Sequence, residues 1–366
     1  MIELELSLNR GEEKRELPMT TITYMKRAKR SQFCGFDGQW CGGSDDGKIV
    51  RKGVLRFLSI LPVVLVFLFI PLTLTSVHMI GAFSFYISWL ANFKLILFAF
   101  EKGPLSTPSI TLLRFLAVAC FPIDVTQSDK GFSKPNKTSL FTYGTKGLVL
   151  AICLHLYHHH KEDVHPMMAW CVFGLIVYLM LELFVALSST IVGLFLKVEL
   201  DQQFDEPYLA TSLQDFWGRR WNVMVNRILH PSVYEPMRIL SIRVVGRLWA
   251  PVPAILTTFL VSGIMHELIF FYFTREWPTG EVMLFFALHG VCLVLEVVIK
   301  KATRYKWSLP NQLSRPLVLT FVLATSYWLF LPELSRCNMI ERAFEDYVAV
   351  SELATDVVRT TPVFFK

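Results

Sequence analysis

Residues 250–273, APVPAILTTFLVSGIMHELIFFYF, form an apolar run interrupted by His266 and Glu267. A helix of about 20 residues, rising 1.5 Å per residue, crosses the hydrocarbon core of a bilayer, so the run predicts a transmembrane helix. An ionisable side chain at that depth is costly and commonly faces a protein cavity where it does chemistry. His266 is therefore a candidate general base, because imidazole titrates near neutrality. A structural histidine paired with a neighbour is the alternative.

The rest of the chain follows the same pattern. Of 366 residues, 53% are hydrophobic and 18% are charged, whereas soluble domains carry about 25% charged residues. The apolar residues occur in blocks rather than in the alternation of barrel strands, and a bilayer satisfies no backbone polar group. The sequence therefore predicts an all-α polytopic membrane protein with roughly seven or eight transmembrane or re-entrant helices. The apolar blocks are Val54–Val77, Ile80–Phe100, Ser109–Ile123, Gly147–Tyr157, Met167–Leu196, Ala250–Phe273, Val282–Ile299 and Leu317–Leu331.

Three regions follow from this distribution. We expect residues 1–50 to be a polar, disordered N-terminal tail, 51–335 a membrane-embedded domain and 336–366 a C-terminal tail. The net charge of +6 suggests anionic lipid headgroups or a polyanionic substrate. The ordinary excess of Lys and Arg in cytoplasmic loops is the explanation we favour. We expect membrane lipid and no nucleic acid among the partners.

A polar and aromatic stretch occupies residues 212–227, SLQDFWGRRWNVMVNR. Ser212 and Asp215 have the spacing of a capping box, which predicts a helix that begins just after Ser212. Trp217 and Trp221 belong to an apolar stripe at helical spacing. Either this helix lies at the membrane interface, or its arginines hold a phosphate-bearing substrate. Composition does not distinguish the two.

The remaining polar clusters are weaker signals. A zinc protease with the HExxH motif is excluded, because Phe270 stands where the second histidine belongs. The His-rich patch at 155–165 matches the HHxxxD signature of soluble acyltransferases only superficially, and we expect it to lie in a loop rather than to bind a metal. His289 and Glu296 lie seven residues apart and are expected to share a helix face. We expect no metal ion and no cofactor.

Six short segments occur in a fixed order over roughly residues 53–335. They are 89–94 (WLANFK), 103–106 (GPLS), 204–222 (FDEPYLATSLQDFWGRRWN), 262–267 (SGIMHE), 288–292 (LHGVC) and 328–332 (WLFLP). In this order they resemble the plant wax synthases, a branch of the membrane-bound O-acyltransferase (MBOAT) family. The FWGRRWN and SGIMHE segments are the most specific part of the resemblance.

The resemblance implies an MBOAT-like acyltransferase domain in residues 51–335. It implies transfer of a fatty acyl group from acyl-CoA, as co-substrate, to a long-chain fatty alcohol, which gives a wax ester and free CoA. It also implies residence in the endoplasmic reticulum membrane. Wax synthases usually begin with a further apolar segment. Residues 1–50 differ from it, so they either replace that segment or reflect a mistaken gene model.

The resemblance further implies that His266 and the upstream Asn222 are the active-site pair. His266 is expected to take the proton of the alcohol hydroxyl as general base. Asn222 is expected to hydrogen-bond the developing oxyanion or to orient the histidine. Glu267 either orients His266 or is a structural partner inside the bundle.

Four neighbours of Asn222 are candidates for substrate contact. Arg219 and Arg220 are candidates for the CoA phosphates, and Trp217 and Trp221 either pack the helix or line the path of the acyl chain. A sterol is an alternative acceptor within the same family. Other interpretations are a polytopic transporter that uses intramembrane polar residues as a relay, and an inactive scaffold for other membrane enzymes.

Overall fold

Helices provide all the regular structure among the residues that the computed structural model describes, and those residues contain no strand. The described residues are 52–106, 112–121, 140–196, 203–303 and 309–360. The N-terminal stretch 1–50, for which we predicted a disordered tail, lies outside them. The predicted all-α fold class is confirmed.

Besides the single α-helical turn Leu213–Asp215, the described residues form thirteen α-helices. They are α1 (Val54–Phe69), α2 (Val77–Phe83), α3 (Asn92–Ala99), α4 (Leu112–Cys120), α5 (Leu140–His160), α6 (Pro166–Leu196), α7 (Val223–Leu229), α8 (Glu235–Trp249), α9 (Pro251–Thr274), α10 (Glu281–Ala302), α11 (Asn311–Thr325), α12 (Leu331–Arg336) and α13 (Met339–Thr360). Within the described ranges, π-helical turns join several of them: π1 (Ser84–Ala91), π2 (Phe216–Arg220), π3 (His230–Tyr234) and π4 (Ser326–Phe330).

Six helical segments of the described residues are long and apolar enough to cross a membrane. Each corresponds to one predicted apolar block. Two further blocks correspond to α4, which at nine residues is too short to span alone, and to the middle of the more polar α5. The estimate of seven or eight membrane helices therefore agrees with the fold if α4 and α5 are counted as re-entrant or interfacial. The six segments are Val54–Thr73, Val77–Ala99, Pro166–Phe195, Pro251–Thr274, Glu281–Ala302 and Asn311–Ala349.

The helices α9 and α10 form the closest pair around the candidate site. A β-carbon added at Gly263 would lie 2.7 Å from the Met283 sulfur, and one at Gly290 would lie 3.0 Å from Phe259 Cβ. These pairings run in opposite directions along the two helices, so the helices are antiparallel. Small residues allow helix backbones to approach closely in membranes. The close approach places the middle of α9, with His266, against the first half of α10.

The segment predicted as a C-terminal tail, 336–366, is largely helical where it is described. Helix α13 buries Ile340 and Ala343 in the main core. Its Asp346 Oδ2 lies 2.8 Å from His78 Nδ1, at the start of α2. A charged sequence with one apolar face therefore forms a helix that packs on the bundle.

Candidate active site

His266 lies in the second half of α9 and is surrounded by aromatic rings. Its ring centroid is 4.5 Å from that of Phe286, 5.4 Å from that of Trp89 and 5.9 Å from that of Phe330. Its Nδ1 atom lies 2.8 Å from the main-chain oxygen of Ser262. Because a carbonyl oxygen only accepts, Nδ1 carries the proton, and the lone pair of the imidazole is on Nε2. The ring thus has the tautomer that a general base at Nε2 requires.

Several of the surrounding rings come from π-helical turns. Trp89 belongs to π1, Phe330 to π4, and Trp217, whose ring centroid lies 5.9 Å from that of Phe286, to π2. A π-helical turn is a local widening of a helix that is frequent at functional sites. The convergence of these turns on α9 and α10 marks the region around His266 as the candidate active site.

The segment from Ser212 to Asn222 is fixed to α10 by its main chain and by Trp217. The Ser212 Oγ accepts a hydrogen bond from the Asp215 N–H at 3.1 Å, which confirms the predicted helix start. The Glu296 Oε2 accepts from the Leu213 N–H at 2.8 Å, and Lys300 Nζ donates to Glu296 Oε1 at 2.7 Å. Glu296 thus caps the start of this segment.

Trp217 donates its indole N–H to His289 Nδ1 at 3.1 Å. Because the indole nitrogen only donates, the proton of His289 is on Nε2, which donates to Thr325 Oγ1 at 2.9 Å. The Thr325 hydroxyl donates in turn to the Phe321 carbonyl at 2.8 Å. His289 is fully buried with both ring nitrogens hydrogen-bonded, so it is a structural histidine. With Glu296 it faces the 212–222 segment, as the shared helix face predicted.

The two candidate phosphate-binding arginines have different surroundings. Arg220 Nε donates to Asp215 Oδ2 at 2.9 Å, and its NH1 donates to the carbonyl oxygens of Asp205 and Glu206. Arg219 donates to Asp215 Oδ1 at 3.1 Å, yet its side chain is 54% exposed. Arg220 therefore fixes the loop before π2, whereas Arg219 presents a guanidinium surface to solvent.

Asp215 lies between these two arginines and is buried. Burial alone would raise the pKa of its carboxyl group. Hydrogen bonds from Arg220 and from the Thr211 N–H, together with the charges of both arginines, outweigh burial and lower that pKa below its usual value. Asp215 is therefore ionised at neutral pH and holds the two arginines in place.

Asn222 begins α7 in a left-handed backbone conformation, with φ at 42°. Asparagine tolerates this region better than most residues. Its Oδ1 accepts from the Val225 N–H at 3.4 Å, and its main-chain oxygen accepts from the Asn226 N–H. Gln203 accepts from the N–H groups of Val223 and Met224. All four N–H groups that open α7 therefore have partners.

Among the described residues the structure shows no direct contact between Asn222 and His266, but aromatic rings connect Trp221, the residue before Asn222, to His266. Trp221 contacts Trp217 with centroids 6.3 Å apart, and Trp217 contacts Phe286, which packs on His266. Trp221 also stacks on Phe216. The two tryptophans therefore belong to a series of packed aromatic rings that extends from Trp221 to His266.

Glu267 contacts α10. Its Oε1 accepts from the Met283 N–H at 2.8 Å and caps the first turn of that helix. Successive residues of a helix point about 100° apart, so a neighbour in sequence need not share a face. Of the two roles predicted for Glu267, the structural partner is the one that these contacts support.

The His-rich patch lies mainly on a helix rather than in the predicted loop. His155 to His160 form the last turns of α5, where the ring centroids of His155 and His159 are 4.6 Å apart. In the part of the chain that the structure describes, no group of three or more His, Cys, Asp or Glu side chains could hold a metal ion. The contacts of the described histidines in this patch therefore do not indicate a metal-binding site.

Sequence reasoning missed the aromatic surroundings of His266. Trp89 and Phe330 lie in two of the six segments that carried the family resemblance, and Phe286 lies two residues before another. Their positions in those segments were the available signal. Gln203, which caps α7, lies just before the FDEPYL segment and had no signal of its own.

Comparison with known proteins agrees with this geometry. Residues 200–288, which include Asn222, His266 and Phe286, match the profile described as "Membrane bound O-acyl transferase family". The chain is 45% identical over 299 residues to the probable long-chain-alcohol O-fatty-acyltransferase 3 of Arabidopsis thaliana, covering 80% of this chain and 85% of that protein. It is 43% identical over 302 residues to the long-chain-alcohol O-fatty-acyltransferase of Simmondsia chinensis, covering 81% and 86% respectively. It is 41% identical over 322 residues to the acyl-CoA–sterol O-acyltransferase 1 of Arabidopsis thaliana, covering 85% and 92%.

The chain belongs to the membrane-bound O-acyltransferase family, and its apolar helices make it a multi-pass membrane protein. Several of these relatives are plant long-chain-alcohol O-fatty-acyltransferases matched over most of the chain, so the resemblance to the wax synthases is confirmed. The chain is therefore an acyltransferase, and this finding counts against the transporter and the inactive scaffold.

Proposed function

We propose that this protein transfers a fatty acyl group from acyl-CoA to the hydroxyl of a long-chain alcohol and forms a wax ester, with His266 as general base. The observation that carries the proposal is the hydrogen bond from His266 Nδ1 to the Ser262 carbonyl. It leaves the lone pair on Nε2, inside a ring of aromatic side chains that limits access by water. The relatives named for long-chain alcohols support the acceptor.

The proposed reaction has one addition and one elimination. His266 Nε2 takes the hydroxyl proton as the alcohol oxygen attacks the thioester carbon, which forms a C–O bond and an oxyanion. The carbonyl then re-forms, the C–S bond breaks, and the CoA thiolate takes the proton back from Nε2. The histidine is thereby neutral again, and no covalent acyl-enzyme is required.

Asn222 is proposed to bind the oxyanion through the N–H donors of its Nδ2 amide group. Its Oδ1 already accepts a hydrogen bond from the Val225 N–H, which sets the orientation of the amide and leaves Nδ2 pointing away from that N–H. A pre-positioned donor of this kind commonly contributes about 10²–10³-fold to the rate.

Arg219 is the better candidate of the two arginines for a CoA phosphate. It is more exposed, and the bonds of Arg220 to Asp205 and Glu206 already occupy that side chain. Guanidinium groups bind phosphate well because they offer paired donors. We propose that Trp217 and Trp221 line the path of the acyl chain as well as packing against the neighbouring helices. The resemblance to the wax synthases supports the endoplasmic reticulum membrane as the location.

A sterol is the second candidate acceptor. The Arabidopsis thaliana acyl-CoA–sterol O-acyltransferase 1 is matched over 92% of its length, which is as strong a likeness as that to the alcohol enzymes. The proposed roles of His266 and Asn222 are the same for either hydroxyl, so the choice concerns only the shape of the acceptor site.

The test uses microsomes from a host that lacks wax ester and sterol ester synthesis. Labelled acyl-CoA is supplied with hexadecanol or with a sterol to the wild type, His266→Ala and His165→Ala. His165 is an exposed histidine after α5 and serves as the matched control. We expect wax ester from the wild type and the control, and a loss of about 10²–10⁴-fold in His266→Ala at equal protein level.

Formation of sterol ester alone would show that the acceptor is a sterol, and the role of His266 as base would stand. Full activity in an inserted His266→Ala protein would refute the assignment of the base. Absence of both esters with inserted wild-type protein would refute both acceptors.

A further inference from the structure

One end of the α9–α10 pair carries a basic and apolar surface that the proposed reaction does not use. We define the junction surface as Arg243, Val244, Arg247, Leu248 and Lys301. Lys301 Nζ lies 3.5 Å from the Leu248 carbonyl oxygen and so connects the end of α8 to the end of α10. Leu248 precedes the first residues of the span Pro251–Thr274, and Lys301 closes the span Glu281–Ala302. The junction surface therefore lies at the membrane boundary.

No acidic side chain in the described part of the chain neutralises the positive charge of this surface. Arg243 and Arg247 are exposed, and among the described residues no carboxylate lies within ion-pair distance of either. The neighbouring Lys300 differs, because Glu296 pairs with it at 2.7 Å. The junction surface thus presents uncompensated positive charge.

Apolar side chains accompany these charges. Val244 is 80% exposed, Leu248 63% and Trp249 51%. Tryptophan beside exposed aliphatic side chains is typical of the headgroup level of a bilayer, where an apolar body and a polar edge are both accommodated. The surface therefore combines the two properties that a charged lipid interface would satisfy together.

A break in α8 shapes the surface. Gly246 has φ at 78° and ψ at 168°, outside the helical region, and only glycine adopts this conformation readily. No neighbouring atom would obstruct a β-carbon there, so the glycine is explained by the backbone conformation rather than by packing. The break changes the chain direction between Arg243 and Arg247 just before α9 enters the membrane.

We propose that the junction surface binds the headgroups of anionic phospholipids. Guanidinium groups form paired hydrogen bonds with phosphate, and an anionic leaflet attracts basic residues at its surface. A soluble phosphate compound would leave Val244, Leu248 and Trp249 in water, whereas a bilayer covers them. The surface lies 16 residues of α9 from His266, about 24 Å along the helix, so bound lipid does not compete for the base.

The test measures lipid association in the full-length protein, reconstituted in phosphatidylcholine bilayers. Spin-labelled phosphatidylserine or spin-labelled phosphatidylcholine is added in trace amount, and electron paramagnetic resonance gives the immobilised fraction. We expect the wild type to prefer phosphatidylserine by roughly fivefold for each basic residue that engages it. The preference should fall at high salt because screening shortens electrostatic reach.

Variants separate charge from fold. In the double variant Arg243→Gln, Arg247→Gln, the immobilised fraction of phosphatidylserine should fall towards that of phosphatidylcholine. The double variant Arg243→Lys, Arg247→Lys should retain most of the preference for phosphatidylserine. Lys161→Gln removes an exposed charge after α5 and should leave the preference unchanged.

An unchanged preference in the double Gln variant would overturn the proposal, as would an equal loss in Lys161→Gln. Displacement of labelled phosphatidylserine by inorganic phosphate at constant ionic strength would instead indicate a soluble phosphate ligand. The readout is lipid association, so the outcome is independent of whether the acyl-transfer proposal holds.

Discussion

Replacing Trp217 with phenylalanine is expected to weaken the packing of π2 against α10. The change keeps an aromatic ring against Phe285 and Phe286 but removes the indole N–H that His289 Nδ1 accepts at 3.1 Å. His289 is fully buried, so its Nδ1 would be left without a donor. A buried group that loses its partner costs about 1–3 kcal/mol, and the smaller ring adds a packing loss.

A double-mutant cycle isolates the hydrogen bond. His289→Leu alone leaves the Trp217 N–H unpaired, whereas the double variant removes both groups, so the double loss should be smaller than the sum by about 0.5–3 kcal/mol. The free energy of unfolding is measured on purified protein in mixed micelles, with acyl transfer as a second readout. Trp277→Phe is the control, because Trp277 is 89% exposed. Strict additivity, or a Trp217→Phe cost no larger than that of the control, would refute this account.

Three further predictions concern other parts of the site. The pKa of Asp215 is lowered in the folded protein, so its stabilising contribution is present at neutral pH and is lost in acid as pH falls through that lowered folded pKa. Thermal unfolding against pH should therefore show the gap between wild type and Asp215→Asn shrinking in acid. Gly263→Ala places a β-carbon 2.7 Å from the Met283 sulfur and should lower the free energy of unfolding by about 1–3 kcal/mol through overpacking. The control is Gly144→Ala, where a β-carbon meets open space. An equal loss of stability in that control would contradict the prediction. Asn222→Gly keeps the left-handed backbone, so it should lower the stability of the protein by only a few tenths of a kcal/mol. It should nevertheless lower the rate of acyl transfer by about 10²–10³-fold. Unchanged activity at equal protein level would exclude the oxyanion role.

Local sequence patterns predicted the helices and the start of the 212–222 segment. The apolar run at 250–273 became α9 because no backbone group in a bilayer can remain unpaired. Ser212 caps the segment it was expected to begin, since that contact spans only three residues. Features that depend on nearest neighbours along the chain were therefore accessible before the fold was known.

Features that depend on contacts between distant segments were not accessible. Trp89 and Phe330 meet at His266 although 241 positions separate them, and each reaches it from a π-helical turn. Such turns have no strong sequence pattern, because packing around them determines where the helix widens. Glu267 shows the converse: it follows His266 in sequence, yet it contacts α10 because of the helical rotation between them.

The position of Phe330 near the end of the chain has a consequence for biosynthesis. A ribosome adds residues in order, so α9 and its histidine are synthesised before π4. A nascent chain that stops before Ser326 therefore holds His266 without one of its aromatic neighbours. Premature termination or cleavage between α10 and α11 would leave the histidine open on that side, where water could reach it. The complete surroundings of His266 arise only late in translation, so an interrupted product has an incomplete site.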